Sequence, residues 1–194
     1  MKDFLLCFIP FFIAVDAIGL LPLYLGLTDG FSSAHRKKIV FQSIITASIV
    51  SVAFLLGGPL LLKLVGVGVS DFMVAGGILL LFISLSDLLT GEKIQRVVDA
   101  ETIGAVPIGV PLISGPAVLT TSILLTNEYG VIPTTLALLA NVLIAGIVFF
   151  MASPIERILG QAGSKTVSKV ASLFLASIAV MLIRKGILEI IKIS

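Results

Sequence analysis

The sequence predicts an all-α membrane protein: six transmembrane helices in an inverted three-plus-three repeat, with the first and fourth helices discontinuous. Three observations predict it. Apolar residues make up 58% of the 194 residues and Lys, Arg, Asp and Glu only 12%, with a mean hydropathy of +1.20. A soluble domain carries roughly 45–50% apolar and about 25% charged residues. Residues 39–62, 102–127 and 129–155 contain no Lys, Arg, Asp or Glu. Each of these runs exceeds the roughly 20 residues that cross hydrocarbon as a helix. Finally, two apolar segments interrupted by Pro and Gly, 8–22 and 106–121, lie half a chain apart. Broken hydrophobic helices at corresponding positions of two halves point to a transporter's binding site.

The elements follow in order. Segment 4–27 is the first span, broken around Asp16, Gly19 and Pro22. Lys2, the apolar run and Val15-Asp16-Ala17 imitate a cleaved leader, but hydrophobicity continues to Leu27, so the segment reads as a span. Segments 39–62 and 71–90 complete repeat one (about 1–95), and 104–126, 133–155 and 168–191 form repeat two (about 100–194), within one transmembrane domain. Backbone groups find no water in hydrocarbon, so these segments are helices. A shift of 95–99 residues lays Gly57-Gly58-Pro59 on Ala152-Ser153-Pro154, each read as closing a span, and Gly68 on Gly163. The same shift lays Ala75-Gly76-Gly77 on Val170-Ala171-Ser172 and Asp16-Ala17-Ile18 near Gly115-Pro116-Ala117. Three spans per repeat is an odd number, so the second half enters the membrane from the opposite side.

Lys and Arg set the orientation. With both termini outside, the inner loops hold Arg36, Lys37, Lys38, Lys93, Arg96, Arg157, Lys165 and Lys169. The outer side then holds Lys2, Lys63, Arg184, Lys185 and Lys192. The expected location is the inner, or cytoplasmic, membrane. A net charge of +2 and the absence of a basic cluster interleaved with aromatics argue against nucleic acid. One cysteine, Cys7, excludes an internal disulfide and a cysteine metal cluster; it reads as a small hydrophobe. His35 stands beside Arg36-Lys37-Lys38 in a polar loop and reads as solvated charge. With a single histidine there are no parts for intramembrane hydrolysis, no enzyme is expected, and neither cofactor nor metal is called for.

Asp16 is the acidic residue deep in the first span. An ionised carboxylate in hydrocarbon costs at least about 2.5–3.5 kcal/mol, so it faces a cavity, a cation or backbone donors. Two readings stand: cation or substrate binding, and capping of the half-helix beyond the break. Pro22 cannot donate to the carbonyl of Ile18, and with Gly19 it weakens the helix just past Asp16. The second break packs Pro107, Pro111, Gly115 and Pro116 into ten residues, followed by Thr120, Thr121 and Ser122. A half-helix amino end there presents free N–H groups and about half a positive charge to the midplane. That suits a carboxylate, while the carbonyl ends of the incoming halves, near Val15 and Ile113, suit an ammonium group. The pair of breaks reads as a site for a small zwitterion; the alternative is two proline kinks filled by packing. The candidate binding set is Asp16, Gly19, Pro22, Ser114, Gly115, Pro116, Ala117, Thr120 and Thr121. Gln42 and Asn141 are supporting polar groups, more often packing glue than ligands. Asp87, at a span boundary, reads as solvated.

These residues resemble the MarC family of inner-membrane proteins. The resemblance rests on Ile13-Ala-Val-Asp-Ala-Ile-Gly-Leu-Leu-Pro22, on Val74-Ala-Gly-Gly-Ile-Leu-Leu-Leu-Phe82, and on Val106-Pro-Ile-Gly-Val-Pro-Leu-Ile-Ser-Gly-Pro116 with Thr120-Thr121. Against the family pattern Asp-Pro-Ile-Gly-Asn-x-Pro, Ala17 replaces the proline, which softens the first break, and Leu20 replaces the asparagine, which takes a polar group from the site. Ala117 stands where the second motif, Gly-Pro-Gly, ends in glycine. The resemblance implies six spans in the inverted arrangement and transport of small neutral amino acids such as glycine or alanine, coupled to a proton or sodium ion. The rival readings are export of another small solute and a membrane scaffold without transport. The lipid bilayer and the small amino acid are the expected partners; a homo-oligomer stays open, since the Ala75-Gly76-Gly77 face permits close packing within or between chains.

Overall fold

The computed structural model describes residues 1–90 and 101–193. Lys93 and Arg96 of the charge count lie outside the described residues, as do the side chains of Pro22, Asp87, Arg157 and Lys165. Seven α-helices and one irregular helical segment account for the described chain: α1 (Lys2–Val15), α2 (Ala17–Leu27), α3 (Ser33–Val65), α4 (Val69–Thr90), the Gly104–Ile113 segment, α5 (Pro116–Tyr129), α6 (Val131–Phe150) and α7 (Ala152–Ile193). There is no strand among the described residues.

Local chemistry sets most of the ends. The Ser32 hydroxyl accepts from the His35 N–H at 3.3 Å and opens α3. The Asp71 carboxylate reaches back from the first turn of α4 to the Gly68 N–H at 2.6 Å. Gly66 and Gly130 take φ of 72° and 86°, left-handed geometry that costs glycine little, so α3 stops and α6 starts at turns a side chain would oppose.

Four single helical stretches among the described residues are long and apolar enough to cross a membrane: Lys2–Leu21, Ser33–Gly58, Val69–Ser86 and Val131–Phe150. The Gly104–Ile113 segment and α5, bent by 54°, make a fifth when read as one broken span. Residues 168–191, the sixth segment expected from sequence, are helical within α7 but stand outside that count.

Gly57-Gly58-Pro59 closes the apolar span Ser33–Gly58, as the sequence reading has it, although α3 itself continues to Val65. Two boundaries differ from the sequence reading. Ala152-Ser153-Pro154 opens α7 instead of ending the fifth span; Pro154 falls in the first turn, where no backbone N–H is needed. Arg36, Lys37 and Lys38 are helical, not loop, since Lys and Arg sustain a helix readily beyond the hydrocarbon edge. Arg36 is buried, its Nε donating to Thr28 O at 3.1 Å, while Tyr24 Oη donates to Arg36 O at 3.4 Å. His35 stacks on Phe31 with ring centroids 4.7 Å apart.

The core lies where the two halves meet. The longest helix–helix contact is between α4 and α7, and it is made close by glycines. A Cβ on Gly77 would stand 2.8 Å from Ala179 O, and one on Gly186 would stand 2.6 Å from Ser70 O. Of the Ala75-Gly76-Gly77 face, Gly77 packs against α7 and Gly76 lies toward Pro111 within the chain, while Ala75 is exposed. A second crossing, α3 with α6, places Gly146 where a Cβ would collide with Ile44 Cδ1. Tyr24 of α2 stacks flat on Phe149 of α6 at 4.5 Å, both buried. The outer surface is as apolar as the core, with Ile9, Ile13, Ile49, Leu64, Phe82, Ile132 and Leu173 all exposed, as suits a lipid-facing wall.

Candidate functional site: two broken helices

Each break has a local cause. At the first, Asp16 alone leaves helical geometry, with φ 45° and ψ 53°. Aspartate is among the few non-glycine residues that visit this region, because its short carboxylate bonds locally. It does so here: Oδ1 accepts from the Gly19 N–H at 3.1 Å, so Asp16 closes α1 and caps α2 in one residue. A Cβ at position 19 would collide with the Asp16 carboxylate. Of the two readings of Asp16, capping is thus the one visible in its hydrogen bonding. The break sits at Asp16 itself, so Gly19 and Pro22 lie inside α2 and not at the interruption, which corrects the sequence reading. Across this break Lys2–Leu21 still passes as one span by length and composition.

The second break is larger. Val106 (φ −133°, ψ 122°) and Val110 (φ −136°, ψ 126°) are extended, as steric pressure from the following Pro107 and Pro111 demands. Around them the chain widens into bonds five residues long, Ile108 N to Ile103 O at 3.3 Å and Ser114 N to Gly109 O at 2.9 Å. Gly115 is extended, and Pro116 starts α5 with no side chain capping it. The amino end of α5 therefore keeps unsatisfied N–H groups. A Cβ at Gly115 would lie 2.5 Å from Pro111 O, so glycine is required where the chain folds back.

The segment is seated on α3 by small residues. Ile39, Ser43, Ala47, Ser51 and Leu55, four apart, form the buried stripe of α3. A Cβ on Gly104 would stand 2.6 Å from Ile39 O, and one on Gly109 would stand 3.1 Å from Thr46 Cβ. At the end of this contact Ser51 Oγ and Ser114 Oγ are 2.6 Å apart, at 0% and 1% exposure. Ser51 was not among the sequence candidates; the signal that could have found it is that four-residue stripe of small and hydroxyl residues. Gln42 is half-buried beside Gly104, its Oε1 2.7 Å from the place of a Cβ there.

The first break has a counterpart tether. Asn141 of α6, 1% exposed, donates from Nδ2 to Phe8 O of α1 at 3.1 Å and to Ala137 O at 2.9 Å. Its Oδ1 is buried and has no partner. Two turns earlier in α6, Thr134 Oγ1 lies 3.7 Å from Cys7 Sγ, so Cys7 is buried against a hydroxyl as well as against apolar neighbours.

The candidates thus divide. Ser114, Gly115 and Pro116 are buried together at the second break, and Asn141 is buried at the α1–α6 contact. Thr120 donates its hydroxyl to Pro116 O at 2.9 Å, and Thr121 is half-buried. Asp16, Gly19 and Ala117 are exposed on the isolated chain. The hydrogen bonds of Asp16 stay within the first break, and those of Ser114 join the second break to α3, not to Asp16.

A family model described as MarC family integral membrane protein matches residues 1–191. A UPF0056 membrane protein of Archaeoglobus fulgidus is 33% identical, with 97% of this chain and 94% of that protein aligned. A second, from Methanocaldococcus jannaschii, is also 33% identical, over 93% of this chain and 84% of its own. The UPF0056 membrane protein YhcE of Escherichia coli is 27% identical over 93% and 89% respectively. No solved structure matches the chain.

Proposed function

Since the chain belongs to the MarC family of integral membrane proteins, we propose that it is a secondary transporter of small neutral amino acids, of glycine or alanine size, coupled to a proton or sodium ion. The observation that carries the reading is the second break. A 54° turn at mid-span leaves the amino end of α5 without a side-chain cap, beside buried Ser114 and Gly115. Irregular backbone inside a membrane is tolerated where it is buried in protein or lines a cavity. A bare helix amino end there attracts an anionic group. The substrate carboxylate meets the N–H groups of Ala117 and Val118. Its ammonium group meets carbonyl oxygens of the incoming half-helices, with Asp16 as partner or as proton acceptor. The close spacing at Gly115 and the small residues on α3 favour a small substrate.

The scaffold proposed is six spans in an inverted repeat, both termini outside, in the inner membrane. The packing supports it. Exchanging the halves carries α1 to the Gly104–Ile113 segment, α2 to α5, α3 to α6 and α4 to α7. Under that exchange the contact of α3 with the segment becomes that of α6 with α1, α2–α7 becomes α5–α4, α2–α6 becomes α5–α3, and α1–α5 becomes the segment with α2. Both members of every one of these pairs are in contact, and α3–α6 and α4–α7 map onto themselves. Alternating access then has one bundle moving against the other about the fixed midplane site.

Reconstituted vesicles loaded with unlabelled alanine test the reading. Counterflow of labelled alanine or glycine is the expected result. No exchange of any small amino acid, under either a proton or a sodium gradient, sinks it and leaves the scaffold reading.

A further inference from the structure

Several hydroxyl protons of the interior can be traced to an acceptor. Ser43 donates to Ile39 O at 2.7 Å, Thr120 to Pro116 O at 2.9 Å, Ser122 to Val118 O at 2.7 Å and Thr134 to Gly130 O at 2.7 Å. Each uses the carbonyl four residues back, the usual resting place of a helical hydroxyl proton. Ser51 does not. Its oxygen is held 2.6 Å from Ser114 Oγ, and Ser114 lies outside any helix at φ −96°, ψ 60°.

Two hydroxyls carry two protons, and one bond between their oxygens takes only one. The second proton has no acceptor among the described residues, although both side chains are at least 99% buried. A buried donor left idle is costly; the Thr126 and Thr135 hydroxyls are also buried without a partner among the described residues, but they lie inside the regular helices α5 and α6. Ser114 stands one residue before Gly115, the extended residue that has no side chain with which to cap α5. The idle O–H and the bare helix end are independent features, and both call for the same thing: an acceptor carrying negative charge.

We propose that Ser51 and Ser114 form a two-hydroxyl donor of the substrate site, presenting one shared O–H to the carboxylate drawn to the amino end of α5. The inference rests on the transport reading and adds Ser51 to its site. It also fixes how the pair responds to mutation. Removing either serine removes the internal bond together with one proton, so one donor remains. Removing both leaves none. A pair that only ties α3 to the break behaves in the opposite way, because either single change cuts the tie completely.

The experiment measures alanine counterflow in vesicles for wild type, Ser51→Ala, Ser114→Ala and the double variant, together with the thermal shift that alanine confers on each in detergent. We expect each single variant to raise the half-saturating concentration no more than a few-fold. The double variant raises it about ten- to hundred-fold, as loss of a hydrogen bond to a charged group does, and loses the alanine-dependent thermal shift. Three equal effects, or a double variant with wild-type half-saturation, overturn the proposal while leaving transport intact. A wild type that neither exchanges alanine nor is stabilised by it overturns the transport reading and this proposal with it. Should the alanine double variant not fold, the series S51C, S114C and S51C/S114C under reducing conditions replaces it, keeping volume while weakening donation, and the same order of effects is required.

Discussion

Gly76 and Gly77 are neighbours in sequence, yet the packing assigns them different fates. A methyl group at position 77 would meet Ile183 Cγ1 at 2.7 Å, Ala179 O at 2.8 Å and Ile183 N at 3.1 Å. Two of these atoms are backbone and cannot turn aside. At position 76 the nearest atom is Pro111 Cβ at 3.4 Å, an ordinary contact. Restoring about 3.5 Å to Ala179 O requires α7 to retreat by roughly 0.7 Å, and gaps of that size forfeit about a quarter to a half of the dispersion attraction along the seam. Overpacking of this kind costs about 1–3 kcal/mol. Both substitutions also gain the helix preference of alanine over glycine, about 0.8–1 kcal/mol. That gain is common to the pair, so the difference between Gly77→Ala and Gly76→Ala isolates the contact at about 1–3 kcal/mol. The assay is thermal unfolding in one detergent at one scan rate, since irreversible unfolding makes the midpoint rate-dependent. Gly76→Ala should match or exceed wild type, with Gly77→Ala about 2–12 °C below it. Equal shifts, or a changed oligomeric state with Gly77→Ala, would refute the placement of this face against α7.

The breaks and the α1–α6 contact give four further predictions. Asp16→Asn keeps an oxygen for the Gly19 N–H and tolerates positive φ, so stability should stay within about 0.5 kcal/mol of wild type, while the pH dependence of transport is lost; an unchanged profile removes Asp16 from coupling. Asp16→Ala loses the cap and is forced into left-handed geometry, a combined cost of about 1–3 kcal/mol read as a lower unfolding midpoint. Gly19→Ala drives a methyl into the same carboxylate and should cost about 1–2 kcal/mol; Asp16→Asn/Gly19→Ala should do no better, because the amide fills the same space. Asn141→Leu removes two donated bonds and an orphaned oxygen together, so stability should change by no more than about 1 kcal/mol, but amide exchange along α1 should quicken once Phe8 O is released from α6.

The sequence by itself determined the solvent, the helical character and the position of the second break. These follow from covalent facts: proline has no N–H and restricts the residue before it, glycine alone follows certain paths, and aspartate bonds its own backbone. It also foretold the asymmetry between the breaks, since Ala17 stands where the family pattern has proline and the first interruption is the milder one. It misplaced the first break by attributing it to Gly19 and Pro22, because a helix accommodates both once Asp16 has turned the chain. Only the tertiary structure decided which groups meet. Ser51 and Ser114 are 63 residues apart, and Asn141 and Phe8 133 apart. In a soluble protein, apolar periodicity would have marked the inward faces and narrowed such pairings. Here the outside is hydrocarbon and the inside is hydrocarbon-like, so Ile49 outside and Leu55 inside are written alike. Burial leaves its signature instead in small and hydroxyl residues at four-residue spacing. Such a stripe says that something comes close, and only the folded chain says what.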